Sequence, residues 1–438
     1  MEFEDILHRL KIESLNDMQR QTAAALLGTK DDLVLLSPTG TGKTLAYMLP
    51  LTRMIDPSSD SVQAVVIVPS RELAIQSGEV FRSLGCGLRA QCLYGGRPAM
   101  DEHREMKKTL PQVVFCTPGR LNDHIDKGNI LTSDIRTLVI DEFDKCLQMG
   151  FMAEMQDAVG KMRNVRRRIL LSATDTDEIP TFVNMDNARR IDVLGSDDVP
   201  DRITTFVVRS EQKDKIGTLT NLLCCLGDAS SIVFVNYRES VERVSEMLRS
   251  EGFVLSSFHG GKDQKQREDA IYKFSNGSAN ILVSTDLASR GLDIPEVDNI
   301  IHYHLPIGED EYTHRIGRTA RWEAKGNVFF ILSPGEQLPD FVTCDTEDYT
   351  FPETLPKPSQ PKMVTLYIGK GKKDKISKGD VLGFLCKSGG LNGSDIGRID
   401  VRERCSYAAV NRKKYKDVIQ RASGEKLKGI KTVVELVK

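Results

Sequence analysis

The stretch Ser37-Pro38-Thr39-Gly40-Thr41-Gly42-Lys43-Thr44 decides the fold. It ends in Gly-Lys-Thr and follows the apolar run Leu33-Val34-Leu35-Leu36, so a buried strand feeds a glycine-rich loop that opens a helix. Thr39, Gly40, Thr41 and Gly42 would form the loop whose backbone N–H groups approach phosphates. Lys43 supplies a positive charge for the outer phosphates, and Thr44 a hydroxyl for Mg²⁺. A glycine-rich turn can arise alone. Here a second string, Asp141-Glu142-Phe143-Asp144, ends another apolar strand, Leu138-Val139-Ile140. Asp141 suits a magnesium-holding carboxylate, and Glu142 suits a base for water. Together the strings point to hydrolysis of a nucleoside triphosphate, with Mg²⁺ as the expected metal.

Working outward, short apolar strands alternate with helical stretches from Asp32 to about Ile191. The strand candidates are Leu33–Leu36, Ala64–Val68, Val113–Cys116, Leu138–Ile140 and Ile169–Leu171. A second series follows at Ile203–Val208, Ile232–Val235, Phe253–Ser256, Ile281–Val283, Asn299–Tyr303 and Val328–Leu332. Such alternation predicts two α/β lobes, each a parallel sheet covered by helices on both faces. The polar stretch Gly195–Pro200 divides the lobes. A proline-rich segment within Thr350–Lys362 precedes a third module. The expected domains are 1–196, 197–350 and 363–438, with 351–362 as linker.

A hydrophobic content of 40% supports buried cores. The nine cysteines form no CxxC pair and no metal-ligand spacing, which suits a reducing cytoplasm. The start, Met1-Glu2-Phe3-Glu4-Asp5, is acidic and carries no signal-peptide pattern, and no apolar run approaches a membrane span. Residues 361–438 carry 19 Lys and Arg against 8 Asp and Glu, a net of +11 in a chain whose total is −2. A basic tail on an acidic engine points to a polyanionic partner. His302 and His304 alternate on a strand, but two ligands do not make a zinc site, and packing is their expected role.

Further strings follow in order: Pro69-Ser70-Arg71-Glu72-Leu73-Ala74, Gly95-Gly96, Thr117-Pro118-Gly119-Arg120 and Ser172-Ala173-Thr174. The second lobe adds Thr285-Asp286-Leu287-Ala288-Ser289-Arg290-Gly291-Leu292-Asp293 and His314-Arg315-Ile316-Gly317-Arg318-Thr319-Ala320-Arg321. On these residues the chain resembles the DEAD-box RNA helicases across both lobes. The resemblance implies two RecA-like lobes and an RNA-stimulated ATPase. It implies RNA-backbone contacts from Arg71, Gly96, Thr117, Arg120, Thr285, Arg290 and Gly291. It assigns ATP-ribose contact to Asp293 and coupling of hydrolysis to strand separation to Ser172 and Thr174. Arg318 and Arg321 stand three apart, so one helical turn would aim both at a γ-phosphate. Arg315 is expected to tie its motif to the acids of the first lobe. Trp322, next to Arg321, is expected near the cleft between lobes.

Three departures stand out. Phe143 replaces the Ala of the DEAD string, so the strand tip must be repacked. Gln19 fits the glutamine that reads adenine, but Lys11-Ile12 and Leu15-Asn16 replace the usual neighbours. Ala320 replaces a Gly. Residues 363–438 resemble the RNA-binding domain that ends DbpA-type helicases, through Thr365–Ile368, Gly371–Ile376, Gly379–Gly383, Asp395–Ile399 and Ser406-Tyr407. That implies a small α+β, RRM-like fold and a structured ribosomal RNA ligand in large-subunit assembly. Its sheet offers chiefly Tyr367 and Tyr407, so phosphate contacts by Lys370, Lys372, Lys373, Lys375 and Arg412-Lys413-Lys414 are expected instead of base stacking. The expected protein is a monomeric ATP-dependent RNA helicase. An ATP-gated RNA clamp and a DNA translocase remain alternatives.

Overall fold

The computed structural model describes residues 3–437 apart from 39, 97–98, 176–178, 186, 195–202, 287–296 and 320–324. Thr39, Arg290, Gly291, Asp293, Ala320, Arg321 and Trp322 therefore lie outside the described residues. The chain divides into two compact units near residue 200.

The first unit holds seven strands: β1 Leu33–Leu36, β2 Ala64–Ile67, β3 Ala90–Leu93, β4 Val113–Cys116, β5 Thr137–Ile140, β6 Arg167–Ser172 and β7 Arg189–Asp192. Their order is β3-β4-β2-β5-β6-β1-β7, and every pairing is parallel. Central strands are apolar on both faces because helices cover both. Leu33 and Leu35 enter one buried cluster with Val66 and Phe115, while Val34 and Leu36 enter another with Val65 and Ile140.

The second unit begins with a matching sheet. Its strands are β8 Ile203–Arg209, β9 Ser231–Phe234, β10 Leu255–Phe258, β11 Ile281–Ser284, β12 Asn299–His302, β13 Gly326–Leu332 and β14 Thr346–Asp348. The order is β10-β11-β9-β12-β13-β8-β14, again parallel. The sequence pattern misses β3, β7 and β14. Each lies at or next to a sheet edge. Three of the four residues of β7 and all three of β14 are exposed, so no apolar run marks them.

The same unit carries a four-stranded antiparallel sheet in the order β16-β17-β15-β20. Its strands are β15 Met363–Ile368, β16 Ile396–Val401, β17 Ser406–Asn411 and β20 Val434–Leu436, with a small hairpin β18 Lys426–Leu427 and β19 Ile430–Lys431. Val364, Leu366, Ile368, Ala408 and Val410 pack with residues of the helices Lys378–Lys387 and Tyr415–Ala422. Thr365, Tyr367, Tyr407 and Ala409 take the other face.

Candidate functional site

In a parallel sheet the C-terminal strand ends collect on one edge, where loops can hold ligands. In the first lobe β1 runs into the phosphate loop, β5 into Asp141-Glu142 and β6 into Ser172-Ala173-Thr174. β2, β4 and β3 run toward Ser70-Arg71, Thr117 and Gly95-Gly96. The strand order thus sets the phosphate and acid residues on one half of the edge, and the residues expected to touch RNA on the other.

The phosphate loop is folded on itself. Lys43 Nζ donates to the carbonyls of Ser37 and Pro38, the latter at 2.8 Å. Thr41 Oγ1 donates to Pro38 O at 2.9 Å and lies 2.6 Å from Ser37 Oγ. Gly42 has φ +90°, which disfavours a side chain, and a Cβ there would stand 2.4 Å from Gln19 Nε2 and push that amide aside. Gln19 caps its helix reciprocally with Asn16: Gln19 N donates to Asn16 Oδ1 at 2.8 Å, and Asn16 N to Gln19 Oε1 at 3.0 Å. Gln19 Nε2 then donates to Gly42 O at 3.3 Å, and Asn16 Nδ2 to Thr41 O at 3.0 Å. Asn16, a departure from the family pattern, therefore still fastens the N-terminal helix to the loop. That role was not read from the sequence, although an Asn three residues before a Gln is a recognisable cap.

Asp141 is 3% exposed. Burial, with the negative Glu142 beside it, pushes its carboxyl up to about 7. Glu142 has φ +49°, a left-handed conformation that a non-glycine residue adopts at a cost, and its N–H donates to Asp141 Oδ1 at 3.0 Å. Phe143 is buried with Ile140, Cys146 and Met155, which is how the enlarged strand tip is filled. Asp144 is a site residue that the sequence reading passed over. It pairs with the fully buried Lys145 at 3.2 Å and accepts from Thr174 Oγ1 at 3.4 Å. Ser172 Oγ in turn donates to Thr174 O at 2.6 Å. Hydrogen bonds thus join the Asp-Glu-Phe-Asp string to Ser172 and Thr174.

A buried acid with a raised pKa, beside a lysine and a threonine, fits a site that receives a divalent cation with phosphates. Asp141 and Thr44 are the residues that would hold Mg²⁺.

On the other half of the edge the Arg71 guanidinium lies against Gly95-Gly96. A Cβ on Gly96, at φ +90°, would meet Arg71 Nη1 at 2.4 Å. Thr117 starts the helix Pro118–Asp126, its N–H bound to Leu93 O at 3.1 Å. Arg120 is drawn toward two acids, Glu102 at 3.3 Å and Asp123 at 3.5 Å.

In the second lobe Thr285 is buried and Lys215 bridges Ile331 O and Glu336, each at 2.9 Å. Arg318 is 6% exposed. Arg315 is braced within its own lobe. Its Nε and Nη2 clamp Asp286 at 2.6 and 2.5 Å. Nη1 donates to His302 Nδ1 at 3.1 Å and to His304 O at 2.8 Å, and Nη2 also donates to Asn236 Oδ1 at 3.0 Å. A guanidinium has five N–H donors, and all five have acceptors within its own lobe. His302 is fully buried and stacks on Phe330 at 4.3 Å between centroids. Burial, and then Arg315, hold it well below the usual imidazole range, in keeping with the packing role expected of it.

Comparison with known proteins places this geometry. Residues 16–182 match the DEAD/DEAH box helicase family, 214–323 the helicase conserved C-terminal domain and 365–436 the DbpA RNA binding domain. The chain is 34% identical over 443 residues to the ATP-dependent RNA helicase DbpA of Escherichia coli K12, covering 99% of this chain and 96% of that protein. It belongs to the DEAD-box RNA helicases. The DEAD-box helicase CshA of Bacillus subtilis is also 34% identical, over 76% of this chain and 67% of its own. Among solved structures, S. cerevisiae Dbp5 bound to RNA and ADP BeF3 superposes with a TM-score of 0.68 at 26% identity, over 79% of this chain and 92% of that one. The two parallel-sheet lobes are therefore RecA-like, and this DEAD-box protein is an RNA-stimulated ATPase and helicase that ends in a DbpA-type domain.

In this helicase the tail sheet is not an open platform. Tyr407 stacks on Tyr272 of the helix Gln264–Ser275 at 4.6 Å, and its hydroxyl donates to Asp269 at 2.7 Å. Arg402 lies over Tyr272 at 4.7 Å, and Lys265 over Tyr367 at 5.6 Å. Asn276 Nδ2 donates to Thr365 Oγ1 at 2.8 Å. The face on which an RRM usually stacks bases is packed on the second lobe. Among the expected phosphate contacts, Arg412 is spent on Pro361 O at 2.5 Å and Met363 O at 3.2 Å, while Lys414 pairs with Asp395 at 2.7 Å and Lys370 with Asp374 at 3.4 Å. Lys372, Lys373, Lys375 and Lys413 keep exposed side chains. Gly371 seats the loop that carries the first two: a Cβ there would stand 2.3 Å from Arg402 O.

Proposed function

We propose that this helicase remodels structured ribosomal RNA during large-subunit assembly, holding its target through the basic loop of the tail. One observation carries the reading. The tail's aromatic sheet face is closed by Tyr272 and Asp269, whereas Lys372 and Lys373 stand exposed on a glycine-seated loop. Such a surface binds phosphates of a folded RNA and reads no bases by stacking. The DbpA-type resemblance supplies the ribosomal target, and the free thiols suit a reducing compartment.

At the first lobe, Lys43, the loop N–H groups and Thr44 hold the triphosphate of ATP. Mg²⁺ bound at Asp141 and Thr44 would add positive charge to the phosphate oxygens. Glu142 accepts the proton of the attacking water. Arg318 and Arg321 come to the γ-phosphate when ATP and RNA are both bound, and Asp293 contacts the ribose. Gln19 positions Gly42 in addition to reading adenine. Arg71, Gly96, Thr117, Arg120, Thr285, Arg290 and Gly291 grip the RNA backbone without reading its sequence. Ser172, Thr174 and Asp144 carry the state of the acid string toward the strand grip.

The test compares RNA-stimulated ATPase with large-subunit ribosomal fragments and with unrelated RNA of equal length. The Lys372→Ala/Lys373→Ala variant is better suited than deletion of residues 363–438, which would strip Tyr272 and Asp269 of their partners. A preference for ribosomal fragments that the double variant loses supports the reading. Equal stimulation by both RNAs defeats it. Duplex release with ATP but not with a non-hydrolysable analogue excludes a simple clamp.

A further inference from the structure

A second polar cluster lies in the first lobe, away from the phosphate loop, between the helices Ala99–Thr109 and Pro118–Asp126. His103 comes from the first helix, and Asp123 and His124 from the second. One ligand atom from each of the three lies within 4.8 Å of the others, the one such group of His, Cys, Asp and Glu among the described residues. The rings of His103 and His124 meet edge to face at 4.9 Å.

Two buried ring nitrogens here have no hydrogen-bond partner, His103 Nε2 and His124 Nδ1, while Asp123 Oδ2 makes no hydrogen bond but faces Arg120 Nη1 at 3.5 Å. Buried polar atoms are nearly always paired, so two unpartnered imidazole nitrogens in one cluster call for an explanation. His124 is 0% exposed. Its Nε2 lies 3.2 Å from Glu102 Oε2, and since a carboxylate only accepts, Nε2 carries the proton and Nδ1 carries the lone pair. Glu102 is itself buried and held in place, with Oε1 accepting from Tyr94 N at 3.3 Å and Oε2 lying 3.3 Å from Arg120 Nε. A carboxylate that fixes one nitrogen of a histidine while the other points into a polar pocket is the usual support of a metal-binding imidazole. His103 Nε2 stands 3.9 Å from Asp123 Oδ2, while Asp123 Oδ1 is taken by Lys127 at 2.6 Å.

We propose that His103, Asp123 and His124 form a binding site for one divalent transition-metal ion, Zn²⁺ by its ligand chemistry, with Glu102 as the positioning residue for His124. Two imidazoles and one carboxylate suit zinc far better than magnesium. Three protein ligands leave the fourth tetrahedral position to an exogenous oxygen. Ligands around such an ion stand about 3.3 Å apart, so the present separations must contract. His103 and Asp123 sit at the rim of the cluster, with side-chain exposures of 14% and 31%, and have room to turn inward. The cluster shares Glu102 with Arg120, so the ion would sit one side chain away from the expected RNA grip.

The test uses the full-length protein freed of metal with a chelator. Zn²⁺ binding is measured by competition with a chromophoric chelator, and Co²⁺ serves as a spectroscopic probe. The expected result is one equivalent of Zn²⁺, undisturbed by excess Mg²⁺, with Co²⁺ giving intense tetrahedral visible bands. Both signals should vanish in His103→Ala and in the nearly isosteric Asp123→Asn. Glu102→Gln should weaken binding by roughly 10–100-fold, as loss of an orienting carboxylate does. Thermal melts confirm that each variant is folded. Absence of Zn²⁺ binding by the unaltered protein overturns the proposal. So does equal binding by folded His103→Ala and Asp123→Asn, which would assign the metal to cysteines elsewhere.

Discussion

At the tip of β5 in the first lobe, Asp141 is buried beside Glu142, and burial pushes its carboxyl up to about 7. At the matching edge of the second lobe, Arg315 is 1% exposed, yet each of its five N–H groups has an acceptor. Both sites bury charge, but on opposite terms. Burial that is only partly compensated costs free energy and persists where a ligand supplies the missing charge. Burial with full compensation specifies a packed arrangement and needs no ligand. The difference separates residues that act from residues that hold the acting parts in place. By that measure Arg315 belongs to the framework of its lobe, although its motif is read as part of the ATP site.

The hardest test of this contrast is at the acting end. Glu142→Gln should lower ATP turnover by ~10²–10⁴-fold while ATP and RNA binding persist. The measurement is single-turnover hydrolysis beside nucleotide titration, and near-normal turnover would remove Glu142 from its role. At the framework end, Arg315→Ala should destabilise the second lobe by about 3–5 kcal/mol, because the buried guanidinium that ties Asp286, His302, His304 and Asn236 together is lost. Denaturant unfolding checks it. An Arg315→Ala protein of normal stability but dead ATPase would reverse the assignment and return Arg315 to the phosphates.

His302 sharpens the same point. It is held neutral in the folded lobe and gains a proton near pH 6.5 once unfolded. Below that pH the unfolded chain binds the extra proton, so stability is fully present above about 6.5 and falls with acidification, by about 1.4 kcal/mol per pH unit. His302→Gln should flatten this slope in melts between pH 5 and 7. An unchanged slope would mean that another group carries the acid sensitivity. The smallest expected effect is in the tail. Lys372→Ala/Lys373→Ala should reduce the slope of log RNA affinity against log salt by roughly 1–2, the share of two phosphate contacts. No change would move the RNA grip off the Gly371 loop.

Much of this was legible in the sequence. The apolar runs Leu33–Leu36 and Leu138–Ile140 mark central strands because a strand covered by helices on both faces must be apolar on both. The phosphate loop and the Asp-Glu pair were readable because each motif lies within a few adjacent residues, and its chemistry demands those residue types. The charge of the last 78 residues marked the tail as a separate, basic module. The edge strands β7 and β14 were not legible, since their exposed residues carry no hydrophobic period.

Only the tertiary structure could show what depends on residues far apart in the chain. It joins Arg315 to Asp286, Asn236 and His302, an internal brace of its own lobe. It spends Arg412 and Lys414 inside the tail domain and seats Tyr407 on Tyr272, 135 residues earlier, so a sheet face that the fold alone would offer to RNA is closed. It also gathers His103, Asp123 and His124 into one cluster. A sequence records which donors and acceptors a chain owns. Which of them are already satisfied is decided by packing, because a hydrogen bond or an ion pair reaches about 3 Å and ignores distance along the chain.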